Sequence, residues 1–127
     1  MMDGLKEASG TTILIVDDDP LMRSTVQRAL RQKRVDVACA ENGQKALDML
    51  SSGLRPNLIL LDIDMPKMNG LEVLSQLKQD PTLAPIPVVI ISGALPNIEP
   101  NVARLLPKPF RLSELFDLLR EHCGLAG

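Results

Sequence analysis

Short apolar runs alternate along this chain with segments whose apolar residues recur at helical spacing. Leu58-Ile59-Leu60-Leu61 runs straight into Asp62, with Pro56-Asn57 before it and Pro66 after it. A continuous run of that length, bounded in that way, predicts a strand buried on both faces. Thr12-Ile13-Leu14-Ile15-Val16 predicts a second buried strand, rich in β-branched residues. It ends in Asp17-Asp18-Asp19-Pro20, where Asp19 is placed to cap a helix that starts at Pro20. Met22, Val26, Ala29 and Leu30 then repeat with the helical period.

The same pattern continues. Val35, Val37 and Cys39 alternate with Asp36 and Ala38, which predicts a shorter strand closed by Asn42-Gly43. Ala46, Leu47 and Leu50 mark a second helix that ends near Ser52-Gly53. After Pro66, Asn69-Gly70 opens a third helix with Leu71, Leu74 and Leu77 on one face, closed by the segment from Pro81 to Pro85. Pro87-Val88-Val89-Ile90-Ile91 is a fourth strand ending in Ser92-Gly93. Pro96 and Pro100 then forbid one continuous helix, leaving at most a single turn that begins at Pro100. Arg104 to Pro107 is a brief fifth strand, followed by Lys108-Pro109-Phe110 and a last helix with Leu112, Leu115, Phe116 and Leu119 inside. Strand and helix alternate about five times. The expected fold is therefore α/β: a five-stranded parallel sheet flanked by helices on both faces and joined by right-handed crossovers. Residues 1 to 10 read as a flexible lead, 11 to 123 as one domain, and 124 to 127 as a tail or the start of a linker.

Composition narrows the function. With 127 residues and 45% apolar content, the chain can bury a real core. Phe110 and Phe116 are the only aromatic residues, so that core is aliphatic and offers little for stacking nucleic-acid bases. A net charge of −2 leaves no electrostatic footprint for DNA or RNA. No apolar run reaches the roughly 18 to 20 residues that a membrane span needs. The polar start and the two cysteines, Cys39 and Cys123, suggest a cytoplasmic chain with reduced thiols. His122 has no ligand-spaced partner and is a poor zinc ligand.

Polar groups stand at four strand ends: Asp17 and Asp18, Asp62, Ser92, and Lys108. If the strands are parallel, all four share the carboxyl edge of the sheet, where open α/β sheets bind ligands. Taken singly, acids in turns cap helices and Ser92-Gly93 makes an ordinary turn, an account that suits Asp19 well and Asp17 and Asp18 less well. Two like charges about 4 Å apart repel by roughly 4 kcal/mol at an effective dielectric near 20. Three aspartates in one pocket therefore call for a raised pKa or a divalent cation. All-oxygen ligation by few carboxylates suits Mg²⁺, with Mn²⁺ as a substitute. A carboxylate, a hard cation, a lysine and a hydroxyl together suggest phosphoryl chemistry. Asp62 can be the nucleophile, Lys108 can neutralise developing charge, and Ser92 can hydrogen-bond the attached group.

Val16-Asp17-Asp18-Asp19-Pro20, the block Asp62-x-x-Met65-Pro66-x-Met68-Asn69-Gly70, Ser92-Gly93-Ala94 and Lys108-Pro109-Phe110 together resemble the response regulator receiver domain of two-component signalling. The match runs from about Thr12 to His122. The resemblance implies a flavodoxin-like sheet and a Mg²⁺-dependent phosphoacceptor, Asp62, served by a histidine kinase or a phosphotransfer protein. It implies that Asp18, Asp62 and the backbone carbonyl of Asp64 ligate the cation, with Asp17 acting through water. It implies that Ser92 and Lys108 bind phosphoryl oxygens, that Lys108-Pro109 is cis, and that Met65-Pro66 shapes the following loop. The implied downstream partner is an effector protein or an attached output domain, with self-association into a homodimer left open. Neither nucleic acid nor membrane is expected to bind this chain directly. No enzymatic turnover is implied beyond self-catalysed phosphorylation and dephosphorylation.

Three features depart from the family. Sixteen positions separate Ser92 from Lys108, about six fewer than usual, so the fourth helix is expected to be replaced by a loop or one turn. Leu105 stands where many receivers carry Tyr or Phe, which implies a different output surface, such as the segment from 94 to 104 or a face made by the first and last helices. Asp64 and Ala94 stand where the family tunes hydrolysis, and a phosphoryl lifetime that is not very short is expected. Two other classes compete. The missing helix and aromatic also suit a degenerate pseudo-receiver that docks or dimerises. Asp62-Ile63-Asp64 resembles the D-x-D of haloacid-dehalogenase-type phosphatases, but that motif belongs in the first strand and Pro66 does not fit it.

Overall fold

Which strands lie in the middle of the sheet follows from how apolar each one is. The structure, a computed structural model, describes residues 10–65, 70–93 and 104–123. β1 (Thr12–Val16), β3 (Leu58–Asp62) and β4 (Val88–Ser92) are buried almost throughout. They hold the three central positions, while β2 (Asp36–Ala40) and β5 (Arg104–Pro107) form the half-buried edges. The strand order is β2-β1-β3-β4-β5, and every neighbouring pair is parallel. This is the expected α/β sheet.

Alternate residues of the central strands face opposite sides. Leu14, Val16, Ile59, Leu61, Val88 and Ile90 face α2 (Gly43–Ser51) and α3 (Gly70–Gln79). Ile13, Ile15, Leu58, Leu60, Val89 and Ile91 face α1 (Pro20–Gln32) and α4 (Leu112–Cys123). Each of these fully buried branched side chains contributes about 1.5–3 kcal/mol from removal of its surface from water. Helix starts follow the local chemistry. Asp19 accepts the Leu21 N–H at 2.9 Å with Pro20 in the first turn, and Asn42 accepts the Lys45 N–H at 2.8 Å.

Several stripes differ from expectation. Leu71 is 42% exposed, and α3 buries Gly70, Val73, Leu74 and Leu77 instead. The apolar arc is centred one residue further round than the leucines alone suggest. Leu112 is also exposed, while Leu118 joins Leu115 and Leu119 in the core. Val35 is buried but precedes β2, whose own Val37 and Cys39 are only half-buried at the sheet edge. Leu105 packs part-buried against the core on the α2–α3 side. Residues 1–9 of the expected lead, the expected tail, residues 66–69 and the stretch 94–103, where a loop is expected in place of the fourth helix, lie outside the described residues. Among the described residues, no helix is long and apolar enough to cross a membrane.

Candidate functional site

Parallel pairing brings the four polar strand ends to one edge. Asp17 follows β1 and is fully buried, its N–H donating to Ala40 O at 3.1 Å. Its Oδ1 accepts the Asp19 N–H at 2.9 Å, and Arg23 Nη1 donates to its carbonyl at 2.7 Å. Asp17 Oδ2 is buried and makes no hydrogen bond among the described residues. Burial is the main reason that the Asp17 carboxyl is pushed up from 3.8 to about 6; the nearby Asp62 adds to this, against the Asp19 N–H and Lys108. Asp18 is exposed beside it. Carboxylate oxygens of Asp17, Asp18 and Asp62 all lie within 4.8 Å of one another.

Asp62 closes β3 and is 1% exposed. Both of its oxygens are held: Oδ1 accepts the Asp64 N–H at 2.9 Å, and Oδ2 accepts from Lys108 Nζ at 3.1 Å. Lys108 is itself fixed by its backbone, whose N–H donates to Ser92 O at 2.7 Å, and Lys108-Pro109 is cis as expected. Burial works against the Lys108 ammonium. The bond to Asp62 and the charges of Asp62, Asp17 and Asp64 outweigh it, and the pKa is raised above the ordinary lysine value. Ser92, 1% exposed, ends β4 on the neighbouring strand. Asp64 is exposed, and its Oδ2 accepts the Gly93 N–H at 2.9 Å and lies 3.5 Å from Ser92 Oγ.

The structure therefore gathers the side chains of Asp17, Asp18, Asp62, Ser92, Lys108 and Asp64 at one edge. The donor set fits a hard divalent cation: carboxylate oxygens converge, and one of them is buried without a partner. On the far side an ammonium and a hydroxyl face the same carboxylate region, which suits an anion.

Two contributions were not legible from residue types. A Cβ on Gly70 would lie 2.5 Å from Ile63 Cγ2 and 2.7 Å from Asp62 O, so only glycine lets α3 begin directly against the end of β3. Asn69-Gly70 signalled a helix start but not this contact. The Asp64 side chain, expected only to influence hydrolysis, reaches across to β4. Nothing in its position in the chain distinguishes it from a solvated loop acid.

The family model described as the response regulator receiver domain matches residues 13–120. Response regulator MprA of Mycolicibacterium vanbaalenii is 37% identical over an alignment of 112 positions that covers 85% of this chain. The chain spans about half the length of the curated relatives it matches, 48% in that case. The chemotaxis protein CheY4 of Vibrio cholerae has the same fold, with a TM-score of 0.78 at 23% identity over 88% of this chain and 98% of its own. The response regulator TrrA of Thermotoga maritima, solved in complex with Mg(2+)-BeF, gives a TM-score of 0.77 at 26% identity, covering 87% of this chain and 97% of that one.

Proposed function

The chain belongs to the response regulator receiver family, and from that premise we propose that it is a phosphoacceptor switch whose acceptor is Asp62. The observation that carries this reading is the environment of Asp62: a carboxylate 1% exposed, paired with Lys108 and set against two further aspartates. The phosphodonor is a phosphohistidine on a kinase or a phosphotransfer protein. The responding partner is an effector protein or an output domain in the same polypeptide, and the phosphoryl group biases two conformations of the domain.

The residues divide the work. One oxygen of Asp62 attacks phosphorus; an O–P bond forms, the N–P bond of the donor breaks, and its electron pair stays on the histidine nitrogen. The Asp64 N–H and Lys108 fix the Asp62 carboxylate, so attack needs little reorganisation. Lys108 stays an ammonium at neutral pH and neutralises charge on the transferring oxygens. The Ser92 hydroxyl donates to a phosphoryl oxygen once the group is attached. Asp18 and Asp62, with the backbone carbonyl of Asp64 and with Asp17 through water, would hold Mg²⁺ or Mn²⁺. Such an ion supplies Lewis-acid neutralisation of phosphoryl oxygens and of the acid cluster. Water attack on phosphorus later releases inorganic phosphate and regenerates Asp62, so the chemistry is a self-catalysed cycle of one group rather than turnover of a free substrate.

Beryllofluoride, which mimics a phosphoryl group on a carboxylate, tests this reading. The chain is expected to bind it only with Mg²⁺ and to lose binding in Asp62→Asn. Binding by Asp62→Asn equal to wild type, or none by folded wild type, would contradict it.

A further inference from the structure

The Asp64 side chain links the acceptor loop to the neighbouring strand. Its backbone N–H holds Asp62 Oδ1 at 2.9 Å. Its carboxylate reaches the end of β4, where Oδ2 accepts the Gly93 N–H at 2.9 Å and sits 3.5 Å from the Ser92 hydroxyl. That hydroxyl belongs to the residue assigned above to the phosphoryl oxygens. The 2.9 Å bond has the length of a sound charge-assisted hydrogen bond, and the 3.5 Å contact lies at the outer limit of one. The end of β4 is therefore a small anion seat, and the anion resting in it is the protein's own.

This matters because the seat is next to the acceptor. β3 and β4 pair directly, with Asp62 opposite Ile91, so Ser92 and Gly93 follow on the strand beside Asp62. A phosphoryl group carries more negative charge than a carboxylate and needs donors of the same kind. One N–H cannot hold both anions in good geometry, and two anions at one seat repel. Asp64 itself is exposed and free to swing into solvent, so vacating the seat disturbs no core packing.

We propose that the Asp64 carboxylate is an internal competitor for the phosphoryl group: it occupies the Gly93 N–H and the Ser92 hydroxyl in the resting protein and leaves them when Asp62 is modified. This rests on the receiver reading above and adds the device that sets how readily the site fills. The competitor raises the threshold for phosphorylation. Its departure also converts a change at one atom of β3 into a change at Ser92 and Gly93, the end of β4.

The test compares wild type, Asp64→Ala and Asp64→Asn, each with Mg²⁺ and beryllofluoride, following affinity by titration and the Gly93 amide by ¹⁵N NMR. The substituted side chain is exposed, and its backbone carbonyl is retained. Asp64→Ala is expected to bind beryllofluoride about three- to tenfold more tightly, the scale of one exposed charge-assisted hydrogen bond. Asp64→Asn, a neutral acceptor, is expected between Asp64→Ala and wild type. In wild type the Gly93 amide resonance is expected to move on binding, and in free Asp64→Ala it should already be displaced upfield, having lost its carboxylate partner. Equal or weaker binding by Asp64→Ala overturns the proposal. So do equal gains in both variants with the Gly93 resonance unmoved in the free proteins, which would assign the effect to charge alone. If folded wild type binds no beryllofluoride at all, the receiver reading falls and the competitor falls with it; if wild type binds and only the variants disagree, the receiver reading stands.

Discussion

The β1 side and the β4–β5 side of the sheet edge each bury a polar side chain, Asp17 and Ser92, but meet that burial in opposite ways. On the β1 side, Asp17 is fully buried, one of its oxygens has no partner among the described residues, and its pKa is pushed up to about 6. On the β4–β5 side, Lys108 is paired with Asp62 and held above its ordinary pKa, and Ser92 and Gly93 already face an anionic oxygen. One side is short of positive charge and the other offers donors, with Asp62 between them. A site built only for stability would satisfy both sides internally. The asymmetry fits a cation on one side and an anionic group on the other.

Removing the donor side should have the largest effect. In Lys108→Ala, Asp62 stays buried without its counter-charge, and the transferring oxygens lose their ammonium. The rate of phosphorylation by a small phosphodonor is expected to fall about a hundredfold, the scale of losing one preorganised electrostatic contact. Stability should drop by about 1–3 kcal/mol, less than for a fully buried pair because Lys108 is 28% exposed. Stopped-flow kinetics and urea unfolding read the two effects.

Removing the acid side should act in the opposite direction on stability. The Asp17 pKa is higher folded, about 6, than its ordinary 3.8, so the folded state binds more protons between those values. Its cost to folding is absent below about 4, builds as pH rises to about 6, and is complete above that, reaching on the order of 2 to 3 kcal/mol. Metal-free wild type should therefore lose stability relative to Asp17→Asn over that window. Saturating Mg²⁺ should abolish the difference, and Asp17→Asn should bind Mg²⁺ at least about tenfold more weakly. Parallel unfolding curves for the two proteins from pH 4 to 7 would break the comparison.

The smallest expected effect on phosphorylation is geometric. Gly70→Ala places a methyl group against Asp62 O and Ile63, and helix α3 must shift. About 1–3 kcal/mol of destabilisation is expected, as for other overpacked positions. Phosphorylation should slow modestly and Mg²⁺ affinity should change little. A fully stable Gly70→Ala variant would show that α3 is not seated on the end of β3.

Much of this was legible in the order of residues, for identifiable reasons. β1 and β3 have the expected bounds because continuous apolar runs ended by Asp admit few alternatives, and β5 is delimited by Arg104 and Pro107. The parallel order then carries Asp17, Asp18, Asp62, Ser92 and Lys108 to one edge, since each stands at a strand's carboxyl end. What escaped was tertiary. Leu71 and Leu112 fit their helical stripes as well as Val73 and Leu118 do, and only the sheet's position decides which are covered. The half-buried β2 reflects its edge position, which its own alternation does not encode. Gly70 is required by a contact with a strand, and the Asp64 carboxylate gains its partner from a residue 29 positions away.

The most direct test is to incubate the folded chain with acetyl phosphate and locate the product by mass spectrometry after borohydride reduction, which marks acyl phosphates. One phosphoryl group, formed only with Mg²⁺ or Mn²⁺, borne by Asp62 and missing from Asp62→Asn, is the predicted result. A phosphoryl group on another residue, formation without a divalent cation, or no modification of folded protein would contradict the account.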